Sequence, residues 1–283
     1  MTVIVKHRAW SRKGPRPYQE DRVARYPFPG MVLLIACDGM GGMKGGEATA
    51  EHIARCAKQA FMRRITGKHI SFTLEQIALE CAIYAQVCGL RMHNILEEPG
   101  ATLLLAVANV VGQVGIAWLG DSPAIHHTKT RCRLLTKPHN VNADALYREK
   151  TGATSGDTLT RFVGEKDYLL PPESTSVQLD VGESLYLCTD GALPLFQNPG
   201  KEPPSMHRFK ELPDAAFTDN ASLIEVFVEE LPEEPSIQEE AETNEVEPPV
   251  AHESGLIASV PDVTPTVPRV EPEPTCFRLP VAP

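Results

Sequence analysis

Four aspartates stand where apolar runs end or begin. Asp38 follows "LLIAC", Asp121 follows "GIAWLG", Asp190 follows "SLYLCT", and Asp219 precedes "NASLIEVFV". Three of them adjoin a glycine: Gly39, Gly120 and Gly191. A single aspartate leaving a buried strand is ordinarily a turn former or a cap. Four in this pattern could converge at one end of a sheet sandwich, where like charges repel unless cations neutralise them. Ligands that are all oxygen suit hard divalent ions such as Mg²⁺ or Mn²⁺. A glycine beside the ligand lets the backbone come close, so that a main-chain carbonyl can reach the ion or its waters.

The stretch "IACDGMGGMKGGEATA" (35–50) also invites a different chemistry, a glycine-rich phosphate cradle. Gly39 and Gly41 supply the first two glycines of a dinucleotide-binding loop, but position 44 is lysine and no second strand ends in an acidic residue at the required distance. A P-loop needs Gly-Lys-Ser/Thr, and Lys44 is followed by Gly45. Both cradles fail on residue identity. A glycine-rich turn that enters a helix and binds nothing remains the alternative for this segment taken alone.

The elements that must carry these aspartates read as mixed α and β. "VIVKHRAWS" alternates like a strand, and "MVLLIAC" is the continuous run of a strand buried on both faces. "GEATAEHIARCAKQAFMRRI" and "TLEQIALECAIYAQVCGLRMHNIL" repeat apolar residues every three or four positions, which predicts two consecutive helices. Strands follow in "ATLLLAVANVV", "QVGIAWLG", "AIHHTK" and "CRLLT". A shorter helix is predicted in "NADALYREKTG", and strands resume in "STSVQLDVGESLYLCTDG". Runs of strands set apart from runs of helices predict an α+β fold with antiparallel sheets.

The charge is unevenly placed. Of 37 acidic and 27 basic residues, 13 acidic and 2 basic lie from Glu229 onward, so the rest of the chain is near neutral. No basic run suits nucleic-acid phosphates. The segment 231–283 holds 11 of the 25 prolines and is expected to be a disordered acidic tail, with "PDVTPTVPRVEPEP" as a candidate docking stretch. The catalytic domain is then expected over 1–230. Seven scattered cysteines without a C-x-x-C pair fit reduced thiols and no zinc site. No apolar run approaches the ~20 residues of a membrane span, and the N-terminal apolar piece is too short for a secretory signal, so a cytoplasmic protein without a membrane partner is expected.

Eight short motifs occur in a telling order: "RPYQED" (16–21), "ACDGMGG" (36–42), "GATLLL" (100–105), "GDS" (120–122), "LLTKPHN" (134–140), "LTRFVG" (159–164), "LCTDGA" (187–192) and "TDNAS" (218–222). Together they resemble the metal-dependent serine/threonine protein phosphatases, the PPM or type 2C family, in its bacterial form. The resemblance implies a four-layer α-β-β-α sandwich with two central, mainly antiparallel sheets. It implies that Asp38 bridges two Mn²⁺ or Mg²⁺ ions while the Gly39 carbonyl ligates one of them. Asp190 and Asp219 would hold the second ion, and Asp121 with Asp190 a third, weaker one. Glu20 and Asp21 would orient metal-bound water, and Arg16 would grip the substrate phosphate with its guanidinium fork. A water shared by two ions would attack phosphorus directly, without a phosphoenzyme; the lack of a C-x5-R motif agrees.

The implied substrates are phosphoserine and phosphothreonine proteins, with a cognate Ser/Thr kinase as partner and a monomeric enzyme. The sequence departs from the family at Met40, where a histidine is common in eukaryotic members, and at Pro123, where arginine is usual. The interval between Asp190 and Asp219 is short and proline-rich. These departures, with the tail, motivate an alternative: a catalytically weak, phosphatase-like regulatory protein acting through its acidic tail. Among the histidines, 126, 127, 139 and 207 are expected to be structural or superficial, and Thr102 and Ser122 to support loops.

Overall fold

The computed structural model describes residues 3–40, 45–67, 72–143, 158–167, 169–196 and 206–230, with the backbone alone at 3 and 206–208. The helix expected in 142–152 falls largely outside these residues, and the acidic tail falls wholly outside them. Two five-stranded sheets form the centre. The first is ordered β1 (Val3–Arg12), β10 (Ala221–Glu230), β9 (Ser184–Cys188), β6 (Ala124–His127), β7 (Cys132–Leu134). The second is ordered β2 (Arg22–Phe28), β3 (Met31–Cys37), β4 (Leu103–Asn109), β5 (Gln113–Leu119), β8 (Glu173–Gln178). Every strand pairing in both sheets is antiparallel.

The period-two geometry of strands divides the apolar residues between two layers. Val32, Leu34, Ala36, Leu104, Ala106, Ile116 and Trp118 pack against Leu185, Leu187, Ile224 and Val226 of the facing sheet. Their neighbours Leu33, Ile35, Cys37, Leu103, Leu105 and Val107 face the other way, onto helices α1 (Gly46–Thr66) and α2 (Leu74–Arg91). That is why "MVLLIAC" has no polar alternation. Helix α2 starts at a capping box, in which the Thr73 hydroxyl accepts from the Gln76 N–H and the Gln76 side chain accepts from the Thr73 N–H.

The fourth layer is thin. On the outer face of the first sheet, Tyr186, Cys188 and Leu223 are covered by Ala192, Phe209 and Phe217. These come from the 3₁₀ turn Asp190–Phe196, the short helix α3 (Met206–Glu211) and the residues that follow it. The shortened, proline-rich interval between Asp190 and Asp219 thus leaves room for less than two turns of α-helix among the described residues. The order of layers is the expected α-β-β-α.

Candidate active site

Antiparallel register brings the chemistry to one end of the sandwich. Arg22 at the start of β2 pairs with Cys37 at the end of β3, so Asp21 and Asp38 emerge side by side. In the other sheet Leu223 of β10 pairs with Cys188 of β9, which places Asp219 near Asp190. The crossover from β1 to β2, residues 13–21, carries Arg16 and Glu20 between the sheets. Asp121 leaves the end of β5 and lines, with Asp190, a cleft beside this cluster.

Close backbone approach makes the cluster dense. A Cβ on Gly39 would lie 2.5 Å from the Gly46 carbonyl carbon and 2.8 Å from the Glu20 carbonyl oxygen. Gly39 also donates its N–H to Glu20 O at 3.3 Å and bridges to Ala101. The glycine next to Asp38 is therefore needed for packing, whatever else its carbonyl does. A Cβ on Gly191 would meet the Asn220 carbonyl oxygen at 2.0 Å. Each of these side-chain-free positions lets two chain segments bring their carboxylates together.

Hydrogen bonds fix the carboxylates by their backbones and flanks. The Asp38 N–H donates to Thr102 Oγ1 at 3.0 Å, and Thr102 Oγ1 lies 2.8 Å from Ser122 Oγ. Both hydroxyls are buried loop supports, as expected. Asp21 is 2 % exposed; Thr189 Oγ1 donates to its Oδ2 at 2.9 Å, while its Oδ1 is buried with no hydrogen-bond partner. Asp38 and Asp190 are close enough to perturb each other's carboxyl groups, and Arg16 donates to Asp219 Oδ2 in an ion pair.

Asn220 emerges as the organiser that sequence reading overlooked. Its Oδ1 accepts from the Glu20 N–H at 2.8 Å, and its Nδ2 donates to Lys13 O at 2.7 Å and Tyr18 O at 2.9 Å. One amide side chain thereby pins the whole loop that presents Arg16 and Glu20. It lies inside the motif "TDNAS", and its place next to Asp219 was the available signal. Thr189 and Ser222 are the other omissions: the Ser222 N–H donates to Thr189 Oγ1 at 2.9 Å.

The electrostatics follow from crowding. Burial, with Asp190 and Asp219 nearby, raises Asp21 to about 7, against the opposing hydrogen bonds of Ser222 and Thr189. Burial first and then the charges of Asp21 and Asp190 push Asp38 well above the usual carboxylate range. Asp190 is also raised, by burial and by Asp219, with its Asp38 hydrogen bond acting against the shift. Its residue surface is nonetheless open to solvent: neighbouring atoms crowd the carboxylate without closing it off, so we read it as the accessible wall of the cluster. Glu20 is raised by burial, opposed by Arg16 and reinforced by Asp219 and Glu47.

His126 and His139 stand apart from this chemistry. His126 Nε2 is 2.9 Å from Glu183 Oε2. His139 is buried, accepts the Gly120 N–H on Nδ1 at 3.1 Å and stacks on Trp118.

The donor set fits hard divalent cations: clustered carboxylates whose protonated form crowding favours, and one buried Asp21 oxygen without a donor. Among the described residues, no three His, Cys, Asp or Glu side chains already surround a single point. Asp219 is instead paired with Arg16, while Asp38 and Asp190 crowd one another.

Residues 18–229 match the family model described as Protein phosphatase 2C. The chain belongs to that family. A "Putative protein phosphatase" of Mycoplasma genitalium is 21% identical over 203 residues, 64% of this chain and 75% of that protein. The "Serine/threonine phosphatase stp" of Listeria innocua is 27% identical over 180 residues, 56% of this chain and 66% of that protein. The catalytic domain of the serine threonine protein phosphatase PstP, solved in complex with two manganese ions, shares the fold with a TM-score of 0.59. It is 21% identical, and the match covers 81% of this chain and all of that one.

Proposed function

We propose that this member of the protein phosphatase 2C family hydrolyses phosphoserine and phosphothreonine in proteins with the help of divalent cations, Mn²⁺ or Mg²⁺. The observation that carries the reading is the meeting of Asp21, Asp38, Asp190 and Asp219 with Arg16 where the two sheets end together. The manganese found in PstP and the description of the Listeria relative support it.

Asp38, Asp190 and Asp219 would hold two ions together with the Gly39 carbonyl, and Asp121 with Asp190 a third, weaker one. Bound ions would neutralise charge on the transferring phosphoryl group and acidify water. The chain's own residues do the rest. Asp38 and Asp190 act there as full carboxylates. Arg16 exchanges Asp219 for the substrate phosphate, where its fork offers two parallel donors. Glu20 and Asp21 orient water for in-line attack, Asp21 being held by Thr189. The substrate hydroxyl leaves without a covalent intermediate on the protein. The catalytic unit spans 1–230 in this reading, followed by an acidic tail, 231–283. The enzyme acts as a cytoplasmic monomer opposite a Ser/Thr kinase. Among the described residues no helix is long and apolar enough to cross a membrane.

Hydrolysis of a phosphopeptide with and without Mn²⁺ tests the proposal. Manganese-dependent turnover, lost in the double variant Asp38→Ala, Asp190→Ala, supports it; equal turnover in that variant contradicts it.

The alternative, a weak phosphatase-like regulator, has one observation in its favour: Arg16 is engaged by Asp219. It predicts phosphopeptide binding without turnover at saturating Mn²⁺.

A further inference from the structure

We propose that the cleft on the Asp121–Asp190 side of the site receives an apolar side chain of the substrate, one to three residues from the phosphorylated residue. This inference rests on the phosphatase reading and adds a substrate preference to it. The cleft has a volume of about 470 Å³, and Asp121 and Asp190 form part of its lining. Residues of β6, β7 and the 3₁₀ turn Asp190–Phe196 also line it. Pro123, Ile125, Leu134, Leu193 and Phe196 supply apolar lining, and among the described residues no charged side chain lines it apart from the two aspartates. Cavities of several hundred Å³ with apolar walls and polar groups at one end are the usual form of a specificity pocket.

Three features commit the cleft to a substrate side chain. First, it is continuous with the acid cluster, because Asp190 belongs to both. An extended chain advances roughly 3.3–3.6 Å per residue, so a segment whose phosphate lies at the cluster places its next few side chains here. Second, the walls are fixed before anything binds. Ile125 is 7% exposed, and the Phe196 ring meets Tyr186 edge-on at 5.2 Å between centroids. Third, Leu134 is 53% exposed on edge strand β7, so apolar surface faces water beside the charged site. An acidic side chain entering the cleft would meet Asp121 and Asp190 in its lining. An apolar one gains burial with no such repulsion.

Cys132, on the same cleft and exposed, supplies a reporter that does not depend on turnover. The experiment compares two phosphoserine peptides, one with leucine and one with alanine at the positions adjoining the phosphoserine. It uses the full chain with Mn²⁺. Values of kcat/KM are measured, and iodoacetamide alkylation of Cys132 is followed by mass spectrometry. The expected result is roughly a tenfold higher kcat/KM for the leucine peptide, the size of burying one such side chain. Leu134→Asn should reduce that ratio below about threefold, and the leucine peptide alone should slow Cys132 alkylation. Equal kcat/KM for the two peptides overturns the inference, as does a ratio unchanged by Leu134→Asn. So does a Cys132 already shielded in the full chain without peptide, which would mean that another part of this chain fills the cleft. If neither peptide nor p-nitrophenyl phosphate is hydrolysed while the leucine peptide still protects Cys132, the phosphatase reading fails and the cleft assignment stands.

Discussion

Glu225 and Asp21 are both buried carboxylates, 6% and 2% exposed, and burial raises the pKa of each. They differ in what lies opposite. Glu225 sits in the middle of β10, where the pairing register sets Arg8 on one side and Tyr186 on the other. Arg8 Nε lies 3.1 Å from Glu225 Oε2, and the Tyr186 hydroxyl donates to Oε1 at 3.2 Å. Asp21 sits where the ladder stops, and its charged neighbours are Asp38, Asp190 and Asp219. Inside a sheet, cross-strand pairing supplies a fixed counter-charge. At the strand ends the sandwich gathers like charges, with Arg16 paired to Asp219, and in the proposed function divalent cations supply the remaining neutralisation. The first arrangement serves stability, and the second can serve chemistry.

The largest expected effect breaks the second arrangement alone. Asp38→Asn should reduce manganese-dependent turnover on the order of a thousandfold. Its melting temperature at pH 7 should not fall, because it removes a carboxylate that burial disfavours. A calorimetric scan beside the assay checks both halves. Glu225→Ala should do the reverse. It leaves the Tyr186 hydroxyl buried without its acceptor and opens a small cavity, costing about 1–3 kcal/mol in urea denaturation. Turnover per folded molecule should stay within about twofold.

Asn220→Ala probes how the loop between the sheets is held. Losing the contacts to Lys13, Tyr18 and Glu20 should raise KM for a phosphopeptide roughly tenfold, with a smaller change in kcat, since orientation of Arg16 is what loosens.

The smallest effect is in the pH dependence of stability without added metal. Asp21 is raised from 3.8 to about 7 in the folded chain, so the folded state holds its proton more tightly than the unfolded state. Its contribution is fully present below pH about 4 and is lost as pH rises through about 7. The melting temperature should therefore drift down across that window by a few degrees, and Mn²⁺ should restore it at pH 7 by binding the folded state. Asp21→Asn should flatten the drift.

Much of this layout was legible in the sequence. "MVLLIAC" could only be a strand covered on both faces, and the two long helices showed their period. Strand β2, "RVARYPF", was not foreseen: it is an edge strand, half exposed, carrying Arg22, Arg25 and Pro27, and an edge tolerates such residues because one side lacks a pairing partner. The strand-end aspartates were visible because each closes or opens an apolar run. Their partners were not. Thr189 reaches Asp21 across 168 positions and Asn220 reaches Glu20 across 200, distances over which no local pattern carries information. Arg16 lies just outside the residues matched by the family model, and its ion pair with Asp219 belongs to three-dimensional packing alone.

If divalent cations neutralise the carboxylates at the sheet ends, the chain must bind them. Isothermal titration of Mn²⁺ into the full chain at pH 7, beside the Asp38→Ala, Asp190→Ala variant, tests it most directly. Saturable binding of two ions to the native chain, accompanied by proton release and absent from the variant, is the predicted result. No saturable binding, or the same binding in both proteins, would contradict it.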